Sequence, residues 1–165
     1  MKLNFRKATV EDAALIAELA DSIWKEHYIS IITMDQIDYM LNKMYSKESI
    51  AQQMNEDQGY TLVMDEEQAI GYVSLSTKDK KHYFLHKFYI CTNKQTKGIG
   101  TEVMEYCLKI NPSAESIELT VNRKNYKAIN FYFKNGFFIN RLEDFDIGNG
   151  YFMNDFVMIK KIVNK

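Results

Sequence analysis

The segment Gln95-Thr96-Lys97-Gly98-Ile99-Gly100 has the residue types and spacing to hold a phosphate. An aromatic and apolar run, residues 82–91, precedes it and reads as a central strand. Val103, Cys107 and Ile110 follow at helical spacing. Glycines between a strand and a helix let the backbone turn tightly and let a ligand approach the amides. The first N–H groups of a helix have no partner within the helix, and its dipole is positive at that end. A strand, a glycine turn and a helix together make an anion cradle, and Lys94 and Lys97 add positive charge. Two other phosphate sites are excluded. No G-x-x-x-x-G-K-S/T is present, and Val103 stands where a dinucleotide fingerprint needs a small residue. On spacing alone, the segment suits a pyrophosphate or a plain glycine turn.

A second segment lies downstream: Asn125-Tyr126-Lys127-Ala128-Ile129-Asn130-Phe131-Tyr132-Phe133-Lys134-Asn135-Gly136-Phe137. With it, the chain resembles the GNAT superfamily of N-acetyltransferases. Their first motif, Q/R-x-x-G-x-G/A, is met at residues 95–100, and their second, N-x-x-A-x-x-F/L-Y-x-x-x-G-F, at residues 125–137. The opening FRKATVEDAALIAELA is similar to the family's first strand and helix, so the resemblance covers nearly the whole chain. The tail IGNGYFMNDFVMIKK is similar to the polyamine-acetylating PaiA-like branch. Thr92 stands where many members have proline, a departure the cradle tolerates.

The resemblance implies acetyl-CoA as co-substrate, lying against the strand that ends Tyr89-Ile90. Gln95 would head the cofactor motif, and the amides of Thr96, Lys97, Gly98, Ile99, Gly100 and Thr101 would hold the pyrophosphate. An N–H near Ile90 would polarise the thioester carbonyl. Asn125 would bond the pantetheine arm, although Asn is also a good helix N-cap. Tyr132 matches the family tyrosine that protonates the leaving thiolate. A phenol of pKa ~10 holds its proton at pH 7 and can donate it.

An attacking amine must also lose a proton. His86 shares a strand face with Phe84 and Phe88 and is the candidate base, since imidazole titrates near neutrality. His82-x-x-x-His86 lacks a third ligand, so no metal is expected. Glu26 and His27, at the end of the first helix, could line the acceptor site, and Asp144, Asp146 and Asp155 could receive the second cation of a polyamine. Neither Cys91 nor Cys107 has an activating partner in sequence, which favours direct attack over a covalent enzyme intermediate.

Charge supports a division of labour. Residues 1–80 carry 8 Lys+Arg against 14 Asp+Glu, a net of −6, and residues 81–165 carry 13 against 8, a net of +5. The basic half holds both cofactor motifs, and the acidic half suits a cationic acceptor. The chain has no Arg-rich run, so nucleic acid is not expected as a partner. No long apolar stretch suggests a signal peptide or membrane span, and two isolated thiols suggest a reducing compartment, so a cytoplasmic location is expected.

The elements that must position these residues read as β-α-α-β-β-β-α-β-α-β-β, in one domain over residues 1–165. A strand at residues 3–7 leads through Thr9, with Asp12 three residues on as a capping box, into a helix to about Trp24. A second helix buries Ile37, Met40, Leu41 and Met44, and residues 46–54 could add a short third. Strands follow at residues 60–64 and 68–76. After the glycine helix come a strand at 117–121, a helix at 125–133, and strands at 137–141 and 151–162 joined by an acidic loop containing Glu143, Asp144 and Asp146. The fold expected is α+β, a GNAT-like mixed and mostly antiparallel twisted sheet flanked by helices on both faces, with one right-handed parallel crossover.

The function expected is transfer of acetyl from acetyl-CoA to a primary amine, of a small cationic kind. A protein or antibiotic acetyltransferase, and a non-catalytic acyl-CoA-binding module, are the alternatives. The last strands leave a homodimer open.

Overall fold

The computed structural model describes residues 2–163. Among them the chain runs β1 (Leu3–Lys7), α1 (Ala13–His27), α2 (Met34–Met44), α3 (Lys47–Asn55), β2 (Gly59–Asp65), β3 (Gln68–Thr77), β4 (His82–Ile90), α4 (Ile99–Lys109), β5 (Ser116–Asn122), α5 (Tyr126–Lys134), β6 (Phe138–Gly148) and β7 (Tyr151–Lys161). The strands are hydrogen-bonded in the order β1-β2-β3-β4-β5-β7-β6. Pairs β1–β2, β2–β3, β5–β7 and β6–β7 are antiparallel, and β4–β5 is parallel. This is the mixed, mostly antiparallel sheet expected. The chain packs as two compact units, and β4 contributes to both, its residues up to His86 to the second and those from Lys87 to the first.

The first unit takes in the chain up to Ser76 and Lys87–Thr96. Its first helix is entered through a short 3-10 turn, Val10–Asp12, where Asp12 Oδ2 accepts the Thr9 N–H at 2.9 Å. Arg6 grips the same carboxylate with both Nη atoms, at 3.0 and 2.7 Å. Helix α1 continues past Trp24 to His27, helped by Lys25 bonding Asp21 one turn back at 2.7 Å. Thr33 and Ser46 cap α2 and α3, their hydroxyls accepting from Gln36 N and Ser49 N. Ile16, Ile23, Ile37, Ile50, Leu62 and Ile70 are buried, as the helical and strand periods demand.

The second unit takes in Thr77–His86 and the chain from Lys97 on. The parallel register runs from His82↔Ser116 to Leu85↔Leu119. Two expectations are corrected here. The acidic stretch expected as a loop lies inside β6, with Glu143 opposite Asp155, Asp144 opposite Asn154 and Asp146 opposite Phe152. Its period of two was hidden by acidic composition, for Glu143 and Phe145 are half-buried while Asp144 and Asp146 are exposed. The actual turn is Asn149-Gly150, both at positive φ (54° and 78°), as a tight hairpin requires. Ile110, expected within the helix on one face with Val103 and Cys107, instead caps α4 and is 45% exposed.

Candidate functional site

The loop after β4 is braced from within. Gln95 Nε2 donates to Ile90 O at 2.8 Å, so the first side chain of the motif ties the loop back to the strand end. Lys94 N–H is taken by Cys91 O and Thr96 N–H by Lys94 O, both at 2.9 Å. The Thr96 amide, included above among the pyrophosphate donors, is thus already engaged. Beyond it the chain enters α4, where the first helical acceptor is Gly98 O, receiving Glu102 N–H at 3.0 Å. The N–H groups of residues 97–101 precede that bond and are the orphan donors of a helix start. Lys97, Gly98 and Thr101 are exposed.

The two glycines of the motif do different work. Gly98 lies at φ 91°, the left-handed region, and a Cβ there would meet nothing within 4 Å. It serves the turn. Gly100 lies in the first turn of α4, where a Cβ would stand 2.7 Å from Phe131 Cε2. It serves the packing of α4 on α5, so the second motif holds the first in place. Sequence reasoning assigned both glycines to the turn and to ligand approach.

Helix α5 carries the second motif. Asn125 caps it, Oδ1 accepting Ala128 N–H at 3.3 Å, and is 4% exposed. The capping role weighed above for Asn125 is therefore filled. Tyr132 is 8% exposed and packs edge-on to Phe131 and Phe137, at 5.3 and 5.4 Å between centroids. The Phe137 N–H donates to Tyr132 O at 3.0 Å, tying the helix end to the motif's last residue.

His86 is half-buried, its ring edge-on to Phe84 at 4.7 Å. His82 instead opens β4 and is bonded to the turn before it. Its Nδ1 lies 2.6 Å from Asp79 Oδ2, and Asp79 Oδ1 accepts the backbone N–H groups of Lys81 and His82. Those bonds hold the Asp79 carboxyl well below the usual range. Among the described residues, no three His, Cys, Asp or Glu side chains are grouped to hold a metal ion.

In the first unit, Glu26 lines a shallow cleft with Leu19, Ser22, Gln68, Cys91 and Asn93. His27 stands edge-on to Tyr28 at 4.9 Å. Cys91 N–H donates to Ile70 O at 2.8 Å, and burial raises its thiol above the usual value. Burial pushes the Cys107 thiol up to about 12. Neither is a thiolate at neutral pH, which is consistent with direct attack.

Two residues escaped the sequence reading. A Cβ on Gly71 would stand 2.3 Å from Tyr89 O and 3.0 Å from Ile90 Cα. Only glycine lets β3 pass the end of β4 so closely, and a lone glycine within a strand was the available signal. Lys87 is 7% exposed, its ammonium over the rings of Tyr45 (4.8 Å) and Tyr60 (5.8 Å). Burial lowers its pKa to about 8.

Comparison with known proteins gives this geometry its context. The Acetyltransferase (GNAT) family model matches residues 17–137. The chain is 29% identical to "Spermidine N(1)-acetyltransferase" of Thermoplasma acidophilum, over 98% of each chain. It superposes on the crystal structure of PaiA N-acetyltransferase from Thermoplasma acidophilum in complex with coenzyme A with a TM-score of 0.80 and 28% identity, covering 98% of this chain and 100% of that one. A GCN5-related N-acetyltransferase from Rhodopseudomonas palustris shares the fold at TM-score 0.81 and 16% identity, over 98% and 97%. With both motifs built into one helix pair and the family match spanning most of its length, the chain belongs to the acetyltransferase (GNAT) family and is an acetyl-CoA-dependent N-acetyltransferase.

Proposed function

We propose that the acceptor is a primary amine of a small, cationic, polyamine-like molecule, and that it attacks the thioester directly. The observation that carries the cofactor half of this reading is the start of α4. Orphan N–H groups at residues 97–101 flank a left-handed Gly98, and Gly100 is locked against Phe131. These donors fit a diphosphate. The acceptor half is supported by likeness to a spermidine acetyltransferase and by the acidic charge of residues 1–80.

An alkyl amine of pKa ~10.4 is almost wholly protonated at pH 7, a handicap of ~4–5 kcal/mol that proton removal must offset. We assign that removal to His86, directly or through water. The thioester carbonyl would be polarised by an N–H near Ile90. The Cys91 N–H is already given to Ile70 O, so the donor is not that one. Tyr132 would return a proton to the leaving thiolate, and Asn125, while capping α5, would steady the pantetheine arm. A cytoplasmic location is part of this reading. Both cysteines are free, and among the described residues no helix is long and apolar enough to cross a membrane.

Thiol release from acetyl-CoA across small amines, spermidine included, tests the reading. The expected result is turnover with polyamines. Tight acetyl-CoA binding without thiol release for any amine would overturn it. Tyr132→Phe should lower kcat about 10²-fold in a chemistry-limited assay, and an unchanged kcat would remove the phenol from the mechanism.

A further inference from the structure

Asparagine followed by glycine occurs twice in the chain, at Asn135-Gly136 and at Asn149-Gly150. Such a pair can rearrange without a partner molecule, because glycine has no side chain to shield its backbone nitrogen from the neighbouring side-chain amide. The structure treats the two pairs in opposite ways.

Asn135-Gly136 closes α5, and both polar groups of the peptide that links the two residues are engaged. Asn135 O accepts Lys160 Nζ, and the Gly136 N–H donates to Phe133 O at 3.0 Å. The side chain is held as well, Nδ2 donating to Phe131 O at 2.9 Å, and Asn135 is half-buried. Turning this peptide toward its own side-chain amide would break the bonds at both its ends.

Asn149-Gly150 is the two-residue loop between β6 and β7. The hairpin closes behind it, where Gly148 pairs with Tyr151 and the Gly148 N–H also donates to Asp146 Oδ1 at 2.9 Å. The loop residues lie outside these bonds. Among the described residues, neither the Asn149 side-chain amide nor the Gly150 N–H has a hydrogen-bond partner. Both residues are exposed, and a Cβ on Gly150 would meet nothing within 4 Å. The attacking nitrogen and the amide carbon it would attack are thus both open to water.

We propose that Asn149 is a self-modification site, converting to aspartyl and isoaspartyl residues, while the fold protects Asn135. The Gly150 nitrogen bonds to Asn149 Cγ, the Cγ–Nδ2 bond breaks, and the Gly150 amide proton leaves with that nitrogen as ammonia. Water then opens the imide ring. Opening at Cγ gives aspartate, and opening at the main-chain carbonyl gives isoaspartate, whose backbone is one carbon longer. The step consumes water alone. Either product adds a carboxylate to a hairpin that already exposes Asp144 and Asp146. The longer backbone no longer fits a two-residue loop, whose length sets the β6–β7 register.

The test is peptide mapping of the full-length protein warmed at mildly alkaline pH, folded and in concentrated urea. In the folded protein Asn149 should convert about tenfold faster than Asn135 or more, because Asn135 reacts only from locally opened states. In urea the two rates should fall within about threefold of each other, since the fold no longer separates them. The isoaspartyl form, isolated by ion exchange, should melt below the unmodified protein. Equal conversion of the two asparagines in the folded protein, or a difference that persists unchanged in urea, would overturn the assignment. An isoaspartyl form with the unmodified Tm would overturn its effect on the hairpin.

Discussion

Two regions of this molecule gather hydrogen-bond donors that have no acceptor among the described residues. At the start of α4 they are backbone N–H groups, residues 97–101, in a stretch that is largely exposed. In the first unit they are side chains: Trp24 Nε1 and the Tyr72 hydroxyl have no hydrogen-bond partner, and the Lys87 ammonium is met by ring faces. There the Tyr72 ring lies tilted against Tyr89 at 5.5 Å between centroids, and Trp24 tilted against Tyr45 at 5.1 Å. The exposures of Tyr72, Trp24 and Lys87 are 0%, 3% and 7%. The first set is cheap to keep, because water serves the amides until an anion arrives. The second is expensive, because rings exclude water and offer only their π faces. Unpartnered donors are thus not sufficient for a ligand site; they must also be reachable, and glycine at the α4 start supplies that access.

The largest expected effect separates access from donor count. Gly100→Val adds a side chain whose Cβ falls 2.7 Å from Phe131 Cε2. Displacing α4 from α5 should weaken acetyl-CoA binding about 100-fold, or ~2.7 kcal/mol, as read by calorimetry. Trimming the ring with Phe131→Ala should restore part of it, and full affinity in the single variant would mean that the helix pair does not position the loop.

The enclosed region makes the opposite prediction. With its pKa lowered from the ordinary lysine value to about 8, Lys87 costs the fold about 3 kcal/mol at neutral pH. An unfolded lysine stays protonated to ~10.4, so between pH 8 and ~10.4 the unfolded state holds more protons and stability rises with pH. Lys87→Met should stabilise the protein at pH 7 by about 1–3 kcal/mol in urea melts and flatten that rise. Loss of stability would show instead that the cation–ring contacts outweigh the burial cost.

The smallest effect belongs to Gly98. Its Cβ space is open and only its φ of 91° resists a side chain. Gly98→Ala should therefore cost about 1 kcal/mol and weaken acetyl-CoA severalfold. A loss as large as that of Gly100→Val would mean that the turn, rather than the helix contact, governs the cradle.

Much of this was legible in the residues. The strand before the loop, the Thr9–Asp12 capping box, the cap at Asn125 and the two motifs were read from local pattern, because caps and glycine turns are decided within a few residues. What was not legible depends on distant neighbours. The acidic run at 143–146 reads as loop until Asp155 and Asn154 are seen opposite it. Gly100 reads as a turn glycine until Phe131 is seen against it. In the run HYFLHKFYI, Lys87 reads as the outward residue of a strand, yet it points among tyrosines. Asp155, buried beside the Thr120 hydroxyl, could not be told from its exposed neighbours Asp144 and Asp146 by composition alone.

A crystal structure with acetyl-CoA bound tests the central claim most directly. The diphosphate oxygens should lie within ~3.2 Å of backbone nitrogens of residues 97–101, with the Thr96 N–H still on Lys94 O. A cofactor whose phosphates rest on side chains elsewhere, with those amides facing only water, would contradict it.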